Sequence, residues 1–232
     1  MTFPGFSSAA LQFLRGLGRN NRRPWFQRRK HIYEQELKLP LIELVTAINA
    51  ELGEFAPEYV TAPQKSIFRI YRDTRFNPDK RPYKTHVAAV FPKQRIAKHS
   101  GACFYFHFSA EELLVWAGVY MATPQELLAI RTLLAEKHEE FRAILRDRKL
   151  RRIMQPYGGE KVMRMPSGFA KNHPAADLLR MKQWGLEVSL DPKIVTTPKL
   201  VPEIANRFRA AVPFVEFLNR PFARAARAVA WY

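Results

Sequence analysis

The segment that decides the fold is ACFYFHFSAEELLVWAGVYM, residues 102–121. It contains two runs of aromatic and aliphatic residues, Ala102–Phe108 and Leu113–Met121, separated only by Ser109–Glu112. Aromatic and β-branched residues favour strands, and so short a connection can join only antiparallel neighbours. The sequence therefore predicts an antiparallel hairpin in the middle of the chain.

Further strands are predicted on either side of this hairpin. Lys65–Tyr71 and Tyr83–Phe91 have a similar composition, and Asn77-Pro78-Asp79 lies between them as a type I turn in which Pro78 fixes φ. Leu186–Leu190 is predicted to be an edge strand. Together these segments predict an antiparallel sheet of four or more strands.

Helices are predicted before and after the sheet segments. Pro24 begins an N-terminal helix, and Pro40 interrupts the helical pattern that follows it. Thr123-Pro124-Gln125-Glu126 has the pattern of a capping box with proline in the first turn. This predicts a helix that begins at Thr123 and reaches about Arg146.

The C-terminal part is predicted to be mainly helical. A short helix is expected over Pro174–Trp184, and a last helix over Pro202–Val229, interrupted near Pro213 or Pro221. The sequence has no internal repeat and no low-complexity linker. We therefore expect a single α+β domain over residues 1–232, in which N-terminal, central and C-terminal helices pack on the sheet.

The composition supports a folded chain with a basic surface. Hydrophobic residues make up 47% of the chain, which is enough for a substantial core. No apolar run approaches the ~20 residues that cross a bilayer, so we expect no membrane span. The formal net charge is +17, which attracts anionic partners such as nucleic acids and phosphorylated small molecules without selecting among them.

The densest group of charged residues lies in FRIYRDTRFNPDKRPYKTH, residues 68–86. The segment contains six cationic side chains and two carboxylates: Arg69, Arg72, Arg75, Lys80, Arg81 and Lys84 against Asp73 and Asp79. The planar donor fork of arginine matches the oxygens of phosphate and carboxylate groups. The segment therefore predicts an oxyanion site close to the turn.

This segment resembles the central motif of an uncharacterised conserved family that is known as a domain of unknown function. Three further segments carry the resemblance: Asn20–Phe26, Gly101–Phe108, and Pro166–Phe169 with the following His173-Pro174. The resemblance extends over nearly the whole chain and implies no established activity. Pro24 stands where a glutamate is usual in the family, which removes a carboxylate from that motif.

The N-terminal composition bears on the cellular location. Residues 1–33 contain seven Arg or Lys and no carboxylate, a composition typical of a transit peptide. The Asn20–Phe26 motif lies inside this stretch, and a cleaved presequence would not carry residues of the mature domain. The single cysteine, Cys103, is compatible with a reducing compartment. We therefore expect a cytoplasmic protein.

The first functional hypothesis is binding of a phosphate or carboxylate ligand. The predicted ligand-binding residues are Arg23, Arg69, Arg72, Arg75, Lys80, Tyr83 and Lys84, with His173 approaching from its own motif. In the competing structural interpretation, the arginines pair with the two aspartates and serve only to stabilise the turn.

Two alternatives remain open. In the first, the chain is an enzyme acting on a phosphate-containing or carboxylate substrate, with Asp73 or Asp79 as general base and His86 or His173 as acid–base partner. In the second, it is a nonspecific nucleic-acid-binding protein whose basic residues are interleaved with aromatic ones. The sequence contains no strong metal or cofactor motif, so we expect neither, and it leaves the oligomeric state open.

Overall fold

The computed structural model describes residues 3–75, 78–94, 96 and 101–228 of the 232-residue chain, with 223–228 as backbone only. Five strands form one antiparallel sheet: β1 (Val87–Pro92), β2 (Cys103–Phe108), β3 (Leu113–Val119), β4 (Gln155–Pro156) and β5 (Trp184–Leu190). Their order in the sheet is β1-β2-β3-β5-β4. In the β4–β5 pair, Gln155 lies opposite Glu187 and Pro156 opposite Leu186. The predicted α+β class is confirmed.

Helices surround this sheet. They are α1 (Ser8–Arg19), α2 (Arg23–Gln27), α3 (Lys30–Ile32), α4 (Leu39–Phe55), α5 (Pro63–Ser66), α6 (Pro124–Arg146), α7 (Arg148–Ile153), α8 (Ala176–Leu179) and α9 (Leu200–Ala228). A π-helix, Tyr33–Lys38, joins α3 to α4, and 3₁₀ helices cover Pro57–Tyr59 and Pro192–Thr196. Among the helices of the described residues, none is long and apolar enough to cross a membrane.

The predicted hairpin is confirmed as β2 and β3. The Ser109 N–H donates to the Glu112 carbonyl over 2.9 Å, and the Ser109 hydroxyl accepts from the N–H groups of Glu111 and Glu112. Side chains alternate along β2, so that Phe104, Phe106 and Phe108 are buried while Tyr105 and His107 are partly exposed. This alternation gives the sheet one face of buried aromatic rings and one face of partly exposed polar groups at β2.

The strand predicted over Lys65–Tyr71 is wrong. Pro63 begins the short helix α5, which runs to Ser66, because proline is well suited to the first turn of a helix. The rest of this segment has only two isolated bridges, Ile67 to Ala89 and Tyr71 to Tyr83, and β1 begins at Val87 rather than at Tyr83. Of the predicted turn, Asn77 lies outside the described residues.

The helix predicted over Pro174–Trp184 is also wrong. Only Ala176–Leu179 is helical, and Trp184 begins β5, where its buried indole donates a hydrogen bond to the Leu178 carbonyl. β5 is not an edge strand, because β4 covers its outer side. The strand β4 has only two residues, which is too short for a periodic pattern in the sequence.

Prolines interrupt fewer helices than predicted. Helix α9 contains Pro213 and Pro221 in its interior, and Pro40 lies in the first turn of α4, where proline is tolerated. A proline inside a helix costs about 3 kcal/mol. Burial of Phe208, Phe214 and Phe217 on α9 offsets this cost, since each such side chain contributes about 1.5–3 kcal/mol.

The chain divides into two compact units. The first comprises residues 1–91, 105–115 and 189–206, and the second 92–104, 116–188 and 207–232. In the first unit, Phe26 stacks on Tyr83 with ring centroids 4.1 Å apart. In the second, Phe141 packs on Phe214 and Phe217. The capping box of α6, Thr123 with Glu126, also belongs to the second unit and is confirmed.

Two glycines of the second unit allow close packing of tryptophans between neighbouring strands. Gly118 on β3 has a φ of 139°, and a Cβ at this position would lie 2.1 Å from the Trp184 carbonyl oxygen. A Cβ on Gly185 would lie 2.7 Å from the indole nitrogen of Trp116. The two strands can therefore approach this closely only because neither position carries a side chain.

We predict that Gly118→Ala lowers the free energy of unfolding by about 3 kcal/mol, because both the backbone angle and the carbonyl contact become strained. Urea denaturation followed by circular dichroism measures the change. The matched control is Gly53→Ala in α4, where a Cβ meets nothing within 4 Å and alanine stabilises the helix by about 0.5–1 kcal/mol. Equal stability of the two variants would contradict this account.

Candidate oxyanion site

A short ladder of backbone hydrogen bonds organises the predicted site. The Arg72 N–H donates to the Pro82 carbonyl over 2.9 Å, and the Lys84 N–H donates to the Ile70 carbonyl over 2.8 Å. On the other side of Tyr83, the Asn21 side chain behaves like a neighbouring strand: its Oδ1 accepts from the Tyr83 N–H at 3.0 Å and its Nδ2 donates to the Tyr83 carbonyl at 2.9 Å. Tyr83 is thus fixed from both sides.

One face of the ladder is aromatic. Tyr71 and Tyr83 are paired across the ladder with ring centroids 5.4 Å apart, and Phe26 stacks on Tyr83. Burial raises the pKa of the Tyr83 hydroxyl, as does the nearby Tyr71, while the positive charge of Arg23 opposes this rise. Arg23, another predicted ligand-binding residue, is therefore close enough for its charge to act on the Tyr83 hydroxyl.

The opposite face carries Lys84. Because side chains alternate along extended backbone, Lys84 points away from the face that Tyr83 occupies. Its half-buried ammonium group lies 4.9 Å from the centre of the Phe68 ring. Burial lowers the pKa of Lys84, and the positive charges of Arg69 and Arg72 lower it further. We call Arg69, Arg72 and Lys84 the Lys84 cluster.

The arginines of the turn are paired with the two aspartates, as the structural interpretation predicted. Arg75 forms a two-pronged pair with Asp73, with nitrogen–oxygen distances of 3.0 and 2.7 Å. Asp79 accepts from both Arg81, at 2.7 Å, and Arg72, at 2.5 Å. Since Asp79 serves two guanidinium groups, Arg72 keeps part of its positive charge unbalanced.

Two cations of the Lys84 cluster have no carboxylate of their own. Within the described residues, neither Arg69 nor Lys84 forms an ion pair with an acid. Lys80, another predicted ligand-binding residue, instead donates to the Thr74 carbonyl over 2.9 Å and so stabilises the turn. The unbalanced positive charge therefore lies at Arg69, at Lys84 and in part at Arg72, rather than at the tip of the turn.

The two aspartates are poorly suited to the role of general base. Hydrogen bonds from the Arg75 side chain and backbone hold the pKa of Asp73 well below its usual range, and those from Arg81, with Arg72, do the same for Asp79. A carboxylate with so low a pKa has little affinity for a proton at neutral pH. Their contacts suit ion pairing better than proton transfer.

A histidine pair adjoins the Lys84 cluster. The rings of His86, just before β1, and His107, on β2, have centroids 4.8 Å apart. Burial, followed by the influence of His107 and Lys84, lowers the pKa of His86 to about 4. His86 is therefore a neutral imidazole at pH 7. Its ring nitrogens make no hydrogen bond to any residue that the structure describes.

His107, in contrast, is held on both sides. Its Nε2 lies 3.4 Å from Glu112 Oε1, and its Nδ1 lies 3.1 Å from the Tyr105 hydroxyl. An ionised carboxylate only accepts hydrogen bonds, so Nε2 donates to Glu112 and Nδ1 accepts from Tyr105. Glu112 is itself oriented by the Ser189 hydroxyl, which donates to it over 2.8 Å. Tyr105, Glu112 and Asn21 also contribute to this region, although no sequence pattern identifies them as site residues.

His173, the remaining predicted residue, belongs to the second unit. Its Nδ1 accepts from the Ala175 N–H at 3.0 Å, and its ring lies edge-on to His138 with centroids 5.8 Å apart. Its described contacts thus include no member of the Lys84 cluster. Across the described part of the chain, no three His, Cys, Asp or Glu side chains come together to hold a metal ion.

The fold and this site define an α+β protein with a basic cluster, flanked by aromatic rings and histidines, next to the edge strand β1. The chain belongs to the family described as "Conserved hypothetical protein (DUF2461)", whose family model matches residues 9–217. The resemblance to an uncharacterised conserved family is confirmed to this extent, while its individual motifs stay predictions. Neither the curated proteins nor the solved structures gave a match.

We predict that Asn21→Ala lowers the free energy of unfolding by about 2 kcal/mol, because the part-buried N–H and carbonyl of Tyr83 both lose their partner. Chemical denaturation measures this change. The matched control is Asn20→Ala: the exposed Asn20 amide donates one hydrogen bond to the Gly16 carbonyl at the end of α1, and its loss costs about 0.5 kcal/mol. If both variants lose the same stability, Asn21 does not anchor Tyr83 as described.

Proposed function

We propose that this protein binds an oxyanion, a phosphate or carboxylate group, at the Lys84 cluster. The observation that carries the proposal is the environment of Lys84: a half-buried ammonium group beside Phe68, flanked by two guanidinium groups, with no acid among the described residues as its ion-pair partner. Three like charges repel one another, and a bound anion would relieve that repulsion.

The chemistry of the cluster suits this ligand class. Arg69 is exposed and can present its donor fork to a ligand, while Lys84 supplies a compact charge on an aromatic support. Hydrogen bonds between ionised partners are roughly twice as strong as neutral ones, so a few suffice for a specific site. The ion pairs of Arg75 and Arg81 support the turn and are not part of this proposal.

The competing enzymatic hypothesis has less support. Asp73 and Asp79 are engaged by arginines, and His173 lies in the second unit. The competing nucleic-acid hypothesis predicts a different response to salt, since counterion release makes such binding fall steeply between 50 and 200 mM salt, by about 10³–10⁵ for six to ten phosphate contacts. Binding of a small anion at a defined site depends much less on salt.

We predict that Lys84→Ala weakens the binding of sulfate by about tenfold or more, because the variant loses a partly desolvated charge–charge contact. Isothermal titration calorimetry at about 0.15 M ionic strength measures the affinity. Arg69→Ala, at an exposed position that tolerates substitution, should weaken binding in the same direction. The Arg69→Ala variant therefore still tests the proposed site if Lys84→Ala does not fold.

The matched control is Lys171→Ala, which removes the same charge from an exposed position in the second unit. We expect its affinity for sulfate to stay within about twofold of the unaltered protein. Equal weakening by Lys84→Ala and Lys171→Ala would show that only the overall positive field attracts anions, and would reject the site. A single-stranded oligonucleotide that binds far more tightly than sulfate, with a steep loss in salt, would favour the nucleic-acid hypothesis.

A further inference from the structure

The unused hydrogen-bonding groups next to the Lys84 cluster belong to His86. The side chains of Lys84 and His86 are linked by contacts: Lys84 Nζ lies over the Phe68 ring, which packs edge-on against Tyr105. The Tyr105 hydroxyl bonds to His107, whose ring centroid lies 4.8 Å from that of His86. The charges of Lys84 and Arg72 are both near enough to influence His86. His107 packs against the His86 ring, and its own two nitrogens are occupied by Tyr105 and Glu112. An anion bound between Lys84 and Arg72 would therefore lie beside His86.

We infer that His86 is a ligand-binding residue of this site and takes up a proton when a doubly charged oxyanion, such as a phosphate group, binds beside Lys84 and Arg72. The inference rests on the proposed function and narrows its ligand class from oxyanions in general to dianions. It also assigns His86 a role in binding rather than in pairing with an aspartate.

The sign of the effect follows from the groups that face His86. In the free protein, burial opposes its protonation most, followed by His107, Lys84 and Arg72, and only Glu112, just before β3, favours it. A bound dianion reverses the local charge. The pKa of His86 then rises from about 4 toward the ordinary value of imidazole. By linkage, affinity for the anion increases as pH falls through the pKa of the bound state.

The preference for a dianion follows from charge balance. Lys84 has no ion-pair partner among the described residues, and Arg72 and Arg81 share the single carboxylate of Asp79. These groups therefore leave two positive charges unbalanced. A monocarboxylate balances one of them and leaves the repulsion around His86 largely in place. A dianion balances both, and its remaining oxygens can accept the hydrogen bond of a protonated His86.

The test measures binding of sulfate, which stays a dianion throughout, between pH 7.5 and 5.5 at constant ionic strength. For the unaltered protein we expect affinity to rise about tenfold over this range, since each unit by which the ligand raises a pKa corresponds to a tenfold gain. His86→Asn, which cannot titrate, should bind sulfate with little dependence on pH. The matched control His31→Asn, at an exposed position on α3, should keep the full dependence.

Nuclear magnetic resonance of ring-labelled histidine provides a readout on the unaltered protein. We expect the His86 ring to be neutral at pH 6 without sulfate and protonated with it, whereas the ring of His107 changes little. Acetate at the same concentration should shift His86 far less than sulfate does.

The possible failures are distinguishable. Sulfate binding that requires Lys84 but does not vary with pH, or a His86 ring that stays neutral when sulfate is bound, would overturn this inference and leave the proposed function intact. Acetate binding as tightly as sulfate would overturn the dianion preference. Absence of sulfate binding at every pH would reject the proposed function and this inference together.

Discussion

The hydrogen bonds around Tyr83 are the constraint on which the candidate site depends. The Asn21 side chain holds the N–H and carbonyl of Tyr83, and the neighbouring residues bond to Ile70 and Arg72. A residue fixed on both edges cannot rotate about the strand axis. The alternation of side chains therefore turns Tyr83 toward Phe26 and Lys84 toward the opposite face. The positions of charge follow from this backbone arrangement rather than from charge attraction.

The hydrogen bonds around Tyr83 also distinguish two kinds of cation that look alike in the sequence. Arg75 and Arg81 each lie two residues from an aspartate, and each forms a local two-pronged pair with it. They are exposed, so such pairs contribute little to stability and chiefly order the turn. Lys84 forms no ion pair with either of those carboxylates and is partly buried against Phe68. The basic segment of residues 68–86 thus contains ion pairs that order the turn, at Arg75 and Arg81, and an unbalanced charge at Lys84.

The sequence predicts some of these features better than others. The aromatic and aliphatic composition of Ala102–Phe108 and the short connection after it are enough to predict the hairpin, because both signals are local. The strand predicted over Lys65–Tyr71 failed because the helix begun by Pro63 takes its first residues and only isolated bridges follow. The excess of cations over carboxylates in residues 68–86 was evident in advance. The sequence does not show which of these cations lack an ion-pair partner, because that depends on contacts with Asn21 and Phe68.

The proximity of His86 and His107 cannot be predicted from local sequence patterns. His86 and His107 are separated by a stretch of chain that gives no reason to bring them together, and only the pairing of β1 with β2 does so. Their different environments then follow from their neighbours: Glu112 and Tyr105 use both nitrogens of His107, while His86 has no such hydrogen bond within the described residues and is influenced by Lys84, Glu112 and Arg72. The positive charges of Lys84 and Arg72 favour the neutral imidazole of His86 in the free protein. If the cluster binds an anion as proposed, the contacts that keep His86 unprotonated make its protonation state responsive to that anion.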